Sequence, residues 1–255
     1  MTTPPQRPRT VDQVAAPYEN FLVRVPPAGV DVCAVCHSVV LAGQATCLQC
    51  QEAKWILGSA TADVTAFVSM APRGEQMARE LFSYKDTRIS DQQRTRMVAG
   101  LGAVLWKWLG RHERCVTNPL GIDGCDVVTT VPSTSGRHGH HPLVQVVGGV
   151  VTGSEERYED LLVLQRPELD QRAHAVDRYA ATREVTGRKV LVVDDTWTTG
   201  AHAQSASAAL KTAGASGVAI VAIGRWFNPG YRDGGPWLAE HRRPGWNWDT
   251  CCVEP

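Results

Sequence analysis

Short apolar runs alternate with amphipathic stretches over most of the chain. Lys189 to Asp195 and Gly217 to Ile223 consist mainly of apolar residues, which predicts strands buried on both faces. The Ala-rich stretch Gly200 to Ala213 lies between them and predicts a helix. Asp126 to Val131 is a shorter β-branched run, typical of another strand. Strands that alternate with helices predict an α/β fold, a parallel sheet with right-handed crossovers flanked by helices.

Weaker patterns add four elements. Pro72 to Tyr84 and Asp91 to His112 carry apolar residues at helical spacing, so we expect both to pack as helices. The apolar segment Leu143 to Val151 follows a polar loop and predicts a further helix, and Leu161 to Leu164 predicts a short strand. Ligands of such sheets bind beyond the carboxyl ends of the strands, so the loops at that edge are candidates for function.

The chain divides into four segments on composition. Residues 1–28 contain six prolines and predict a flexible lead-in, and residues 29–58 form a four-cysteine module. Residues 59–224 form the α/β domain. Residues 225–255 contain four of the eight tryptophans and predict a C-terminal extension. This Trp-rich segment either wraps the sheet edge or covers a ligand pocket, and the sequence does not choose between them.

Charge and hydropathy limit the partners. The 26 basic and 26 acidic residues balance, so no global field draws the chain to nucleic acid, which argues against direct DNA binding. No apolar run approaches the ~20 residues that cross a bilayer, and the first residues are polar and proline-rich rather than a signal peptide. We therefore expect a cytoplasmic protein without membrane insertion.

Four cysteines have the spacing of a zinc site. Cys33 and Cys36, and then Cys47 and Cys50, form two C-x2-C pairs that can surround one tetrahedral Zn²⁺. Four thiolates leave no open coordination position, so we expect a structural, zinc-ribbon-like module rather than a catalytic metal. No Lys or Arg lies between these cysteines to contact phosphates, which disfavours nucleic-acid binding here. His37 is an alternative ligand next to the second cysteine.

The remaining cysteines show no comparable spacing. We expect them to be ordinary buried or terminal thiols. They are Cys115, Cys125, Cys251 and Cys252.

The end of the Lys189 to Asp195 run carries the chemistry. Asp194 and Asp195 follow an apolar strand, and a ribose diol supplies the hydrogen-bond donors that two neighbouring carboxylates need. Hydroxyls, backbone N–H groups and the start of the next helix then form an anion site suited to a phosphate monoester. These residues are Thr196, Trp197, Thr198, Thr199 and Gly200. No G-x4-G-K-[ST] loop occurs, which argues against a P-loop NTPase. Solvated acids before a Thr-rich helix cap are the simpler alternative.

The stretch Val190 to Gly200 resembles the phosphoribosyl pyrophosphate (PRPP) signature of type I phosphoribosyltransferases. With the four cysteines, the chain resembles the ComF-type, competence-associated branch of that family from about Cys33 to Ile223. The resemblance implies that Asp194 and Asp195 hold the ribose 2′ and 3′ hydroxyls. It also implies that residues 196–200 surround the 5′-phosphate and that Mg²⁺ arrives with the pyrophosphate. Two positions depart from the family pattern, Thr196, where an apolar residue is usual, and His202, where a small hydroxyl residue is common.

The same resemblance implies two supporting loops. Residues 131–139 match the place of the pyrophosphate loop, with Ser133, Thr134 and Arg137 as donors; the nearby histidines 138, 140 and 141 leave a metal site as an alternative. Residues 165–178 match a mobile loop that closes over the reacting centre, and Arg172 would place a cation on the departing pyrophosphate. A solvated helix face is the alternative for that loop. Lys85 matches a family lysine, although an exposed lysine is the default.

Two functions remain open. The first is a Mg²⁺-dependent transferase in which a nitrogenous acceptor attacks C1′ of PRPP and displaces pyrophosphate. The second is a non-catalytic sensor of PRPP or a nucleotide monophosphate that acts with competence, DNA-uptake or recombination proteins. A homodimer is the commonest assembly for such a chain. The acceptor base has no recognisable code in the sequence.

Overall fold

The computed structural model describes residues 9–133, 142–149, 151 and 155–254. In these residues the strands are β1 (Val64–Pro72), β2 (Val127–Thr130), β3 (Leu162–Leu164), β4 (Tyr179–Ala181), β5 (Lys189–Trp197) and β6 (Gly217–Phe227). The α-helices are α1 (Val11–Ala15), α2 (Leu48–Leu57), α3 (Gln76–Ser83), α4 (Asp91–Thr117), α5 (Pro142–Gly149), α6 (Ala201–Thr212) and α7 (Gly234–His241).

Four strands form one parallel sheet in the order β1-β6-β5-β2. Every residue of β1 and β2 is buried, which is typical of parallel strands covered on both faces. The long helix α4 packs on β1 and β6, and α6 packs on β5 and β6. The predicted α/β class, a parallel sheet flanked by helices, is confirmed. β3 and β4 form a separate antiparallel pair that α6 also contacts.

The sequence predicted three of the four strands of the parallel sheet, β2, β5 and β6, and missed the edge strand β1. β5 and β6 occupy the two apolar runs, and each continues past its predicted end because the two strands pair as far as Trp197 and Arg225. β1 was not predicted, although it pairs with β6 over most of its length. Pro72, expected to start a helix, is instead the last residue of this strand, and α3 begins at Gln76.

Residues 9–28, the described part of the lead-in predicted for residues 1–28, make defined contacts with the α/β domain. Helix α1 packs on α4, and Val23 pairs with the outer edge of β1. The Val23 N–H donates to Ser69 Oγ at 2.9 Å, and the Val23 carbonyl accepts from the Met70 N–H at 2.9 Å. An edge strand exposes backbone groups that need partners, and this segment supplies them.

The Trp-rich segment also contributes to this edge. The Trp246 indole N–H donates to the Val68 carbonyl of β1 at 3.1 Å. Trp248 lies under Lys107 of α4, with the ammonium 4.3 Å from its ring. These contacts correspond to the first of the two roles considered for the segment, wrapping the sheet edge. In the described part of the chain, no helix combines the length and the apolar character needed to cross a membrane.

Candidate functional site

The carboxyl ends of the four parallel strands meet at one edge of the sheet, where a cleft of about 750 Å³ opens. Residues that end these strands or follow them line the cleft, together with α3 and the loop after it. Ligands of parallel sheets bind at this edge, so the cleft is the candidate site. Its polar lining residues include Lys85, Asp86, Thr87, Arg88, Ser133, Gln171, Asp194, Asp195, Thr196, Thr198 and His202.

Asp195 is fixed in the wall of the cleft by two neighbours. The Tyr84 hydroxyl donates to its Oδ2, and Lys85 Nζ lies 2.7 Å from the same oxygen. A buried carboxylate is costly unless it is paired and hydrogen-bonded, and these two groups meet that requirement. The sequence favoured an exposed Lys85, but its side chain is only 26% exposed and contacts the acid.

Asp194 lies beside it in the same cleft. Its Oδ1 accepts the backbone N–H of Asp195 at 2.8 Å. Burial, and then the charge of Asp195, raise the pKa of Asp194 from 3.8 to about 7. A carboxyl group with a raised pKa in a cleft is typical of a site that binds donors or cations.

The Thr-rich residues after the acids lie where the sheet passes into α6. Thr196 and Thr198 line the cleft. Thr199 Oγ1 accepts the N–H of Ala201 at 3.3 Å, and Gly200 precedes the helix with a φ of +86°. The N-terminus of this 12-residue helix therefore begins directly behind the two acids, with its positive dipole end at the cleft edge.

Trp197 contributes through its backbone. Its ring is buried and packs edge-to-face on Phe67 with ring centroids 5.4 Å apart, so the side chain points into the core. A Cβ added to Gly200 would overlap this ring. The ring and the glycine thus fix the conformation of the bend at the end of β5, residues 197–200. The predicted ligand contact of Trp197 can come only from its main chain.

Arg225 of β6 supports the bend from behind. This buried side chain donates from Nη1 to the carbonyls of Trp197 at 3.3 Å and Thr198 at 3.1 Å. In a trans peptide the N–H points opposite to the C=O, so the N–H groups of Thr198 and Thr199 point away from the arginine. The same guanidinium donates from Nε to the carbonyl of Cys36 at 2.8 Å.

The four predicted metal ligands lie together. The sulfurs of Cys33, Cys36, Cys47 and Cys50 are all within 4.8 Å of one another. The Cys36 and Cys47 sulfurs are 3.6 Å apart, close to the edge of about 3.8 Å expected of a tetrahedron with Zn–S bonds of about 2.3 Å. Backbone N–H groups of Cys36 and Cys47 donate to the Cys33 sulfur at 3.5 and 3.3 Å, which would stabilise thiolates.

His37 is not among the residues of this cluster. It is buried, and its Nδ1 lies 2.9 Å from the Pro26 carbonyl. The donor set therefore fits a structural Zn²⁺ held by the four cysteines.

The other predicted site residues fall into three groups. Ser133 follows β2 and lines the cleft, whereas Thr134 and Arg137 lie outside the described residues. Arg172 is exposed and is not among the described residues of the cleft lining. Arg178, in the same loop, is buried and donates to the carbonyls of Asp170 and Ala173 at 2.6 and 2.7 Å, so it holds the loop together.

His202 adds a neutral group to the cleft. Its Nδ1 lies 2.8 Å from the hydroxyl of Tyr179 in β4. Burial, and then the charge of Arg178, lower the pKa of His202 to about 4. The imidazole is therefore uncharged near neutral pH and supplies hydrogen bonding rather than a cation.

Sequence reasoning missed several residues of the cleft, among them Arg88 and Gln171, and also missed the buried Tyr84 behind Asp195. Tyr84 contacts an acid that is 111 residues away in the chain, a relationship with no local signal. Trp226 belongs to β6 and lines the cleft, whereas its position in the sequence assigned it to the Trp-rich segment 225–255.

Comparison with known proteins adds little to this geometry. No protein-family model and no curated protein matches the chain. A purine phosphoribosyltransferase from Pyrococcus horikoshii Ot3 is similar in structure over 50% of this chain and 91% of its own, with a TM-score of 0.29 and 14% sequence identity. At these values the match carries no argument about function.

Proposed function

We propose that the protein binds a phosphorylated ribose, with PRPP as the ligand, and transfers its phosphoribosyl group to a nitrogenous acceptor. One observation carries the proposal. Two adjacent acids, two threonines and the start of a helix line one cleft at the carboxyl edge of a parallel sheet. A sugar diol and a phosphate are the pair of groups that this combination suits.

The acids would accept hydrogen bonds from the ribose 2′ and 3′ hydroxyls. The neighbours of Asp195 hold its carboxylate in one orientation, so little ordering is needed on binding. Asp194, whose pKa is raised, would gain donors from the diol that offset its burial. Both effects favour a ligand with vicinal hydroxyls over a deoxy sugar.

The bend would bind the 5′-phosphate. Arg225 holds two of its carbonyls on the far side, so the N–H groups of Thr198 and Thr199 are available to an anion. The hydroxyl of Thr198 and the dipole of α6 add to this site. Ser133, with Thr134 and Arg137, would contact the pyrophosphate.

Mg²⁺ fits the same cleft. Carboxylates and hydroxyls are the ligands that this ion prefers, and Asp194 and Asp195 would supply two carboxylates in this cleft. When bound with PRPP, the ion would neutralise charge on the leaving pyrophosphate. The chain's own residues would position the ribose, and Lys85 would add a positive charge beside the acids.

In the proposed reaction a nitrogen of the acceptor forms a bond to C1′, and the C1′–O bond to pyrophosphate breaks with both electrons leaving on the oxygen. Incubation of the protein with Mg²⁺, PRPP and a panel of purine, pyrimidine and nicotinate-like bases should release pyrophosphate with at least one base. The Asp195→Asn variant should lose this release. Asp123→Asn, which changes an exposed acid before β2, should keep it.

A second candidate, a PRPP or nucleotide sensor without turnover, is favoured by the position of Arg172. The cation expected on the departing pyrophosphate is exposed and is not among the described residues of the cleft lining. Titration that shows PRPP binding while no base supports pyrophosphate release would favour the sensor. Partners in DNA uptake or recombination would then be the targets of the signal.

A further inference from the structure

A second cluster of metal-ligand side chains lies away from the four-Cys cluster in sequence. His112 and Cys115 are three residues apart on α4 and so share one face of the helix. Cys251 reaches them from the Trp-rich segment. The ring nitrogen and the two sulfurs lie within 4.8 Å of one another, and all three residues are buried. No sequence pattern groups them, because the first and the last are 139 positions apart in the chain.

The imidazole of His112 has the orientation of a metal ligand. Its Nε2 lies 2.8 Å from the Trp248 carbonyl, an oxygen that can only accept, so Nε2 carries the proton. Nδ1 is then unprotonated and directs its lone pair toward the cluster. Metal-bound histidines commonly donate their other nitrogen to a backbone carbonyl in this way.

The spacing of the ligand atoms also fits. Nδ1 of His112 lies 3.5 Å from the sulfur of Cys115. Zinc bonds of about 2.3 Å to sulfur and about 2.0–2.1 Å to nitrogen place these two atoms about 3.6 Å apart in a tetrahedron. A carboxylate is close by as well, since Glu254 Oε2 lies 3.1 Å from the same sulfur. Its carboxylate is not within 4.8 Å of all three ligand atoms, so a movement of this side chain or a water molecule would complete four-coordination.

We propose that His112, Cys115 and Cys251 bind a second Zn²⁺. Two thiolates and an imidazole select zinc over the hard cations Mg²⁺ and Ca²⁺. Both thiols lose a proton on binding, so affinity rises with pH. The ion joins residues 248–254 to α4, alongside the contact between Trp248 and Lys107. This site does not depend on the proposed phosphoribosyl chemistry.

Metal analysis of the full-length protein, purified with zinc and a reductant, tests the site. The Cys115→Ser and Cys251→Ser variants should each contain one equivalent of zinc less than the wild type. Cys125→Ser removes another buried cysteine, which is outside both clusters, and should keep the wild-type content. Equal zinc content in the wild type and both cluster variants would overturn the proposal.

A measurement on the wild type guards against variants that fail to fold. X-ray absorption of the zinc-loaded protein should show imidazole nitrogen in addition to sulfur around the metal, because the four-Cys cluster supplies sulfur alone. A shell of sulfur only would contradict the second site. A Cys115–Cys251 disulfide found by non-reducing peptide mapping of protein kept under reductant would contradict it too.

Discussion

Arg225 donates its Nε–H to the carbonyl of Cys36 at 2.8 Å. Through Nη1 the same side chain also holds the carbonyls of the bend after the acids, so one buried guanidinium connects the four-Cys cluster to the proposed phosphate site. Its Nη2 lies 3.4 Å from the Cys36 sulfur. There the positive charge of the guanidinium offsets the negative charge of the thiolates. The four-Cys module therefore supports the cleft rather than standing apart from it.

Replacement of Arg225 by lysine should weaken both ends of this link. An ammonium cannot reproduce the fork of donors, and lost hydrogen bonds to a buried charged group cost about 1.5–3 kcal/mol each. We expect Arg225→Lys to lower the free energy of unfolding in urea by about 2 kcal/mol or more and to weaken ribose 5-phosphate binding. Arg243→Lys, at an exposed surface pair, should change neither quantity; similar behaviour of the two variants would refute the link.

Gly200→Ala should disrupt the phosphate bend by two effects. The positive φ costs an L-residue about 1–2 kcal/mol, and the new methyl would overlap the Trp197 ring. Gly121→Ala is a matched control, because it also has a positive φ but no heavy atom within 4 Å of the added carbon. Calorimetry should show that Gly200→Ala loses more affinity for ribose 5-phosphate and more unfolding free energy than Gly121→Ala. Equal losses in the two variants would count against the steric account.

The raised pKa of Asp194 predicts an effect of pH on stability. Because the folded-state pKa of about 7 exceeds the ordinary 3.8, this acid opposes folding increasingly as the pH rises from about 4, and its full cost is present above about pH 7. The cost is relieved as the pH falls and is absent below about pH 4. Asp194→Asn should therefore stabilise the unliganded protein at about pH 8, on the order of 1 kcal/mol or about 2–4 °C in Tm.

Thermal unfolding of Asp194→Asn and wild type at about pH 8 and about pH 5.5 checks this prediction. The advantage of the variant should shrink at the lower pH. Asp123→Asn, with its exposed side chain, should show no such trend. A variant that is less stable than the wild type at the higher pH would show that the carboxylate stabilises the fold.

Loss of a cysteine from the four-Cys cluster should release its zinc. Such ions supply roughly 10–16 kcal/mol of folding free energy in small modules, so Cys47→Ser should lose one equivalent of metal and unfold at lower urea. The contact of Arg225 with Cys36 predicts that ribose 5-phosphate binding weakens as well. Full metal content in the purified variant would contradict the four-cysteine ligand set.

The elements with strong local signals were predictable from sequence. The apolar run of β5, its two acids and the Ala-rich helix after it lie within 24 residues, so strand, bend and helix could be recognised together. β1 has no such signal. Its apolar residues are interrupted by Thr65 and Ser69, and its burial depends on β6 and on the lead-in that covers its edge.

Contacts between distant residues explain what the sequence could not show. Tyr84 reaches Asp195 only because α3 ends above the carboxyl edge of β5. Arg225 is at the end of a strand with no nearby motif, and its role follows from the adjacency of β5 and β6. The thiols of Cys115 and Cys251 meet because the Trp-rich segment returns to α4. Each depends on topology rather than on local pattern.

The most direct test of the proposed site compares two sugars in two proteins. Calorimetric titration with ribose 5-phosphate and 2-deoxyribose 5-phosphate, in wild type and in Asp195→Asn, isolates the contact between the acid and the diol. We expect the variant to lose about 10- to 100-fold in affinity for ribose 5-phosphate, the value of a charged hydrogen bond, and much less for the deoxy sugar. Equal losses for both sugars, or none for either, would contradict the assignment of this cleft to a phosphorylated ribose.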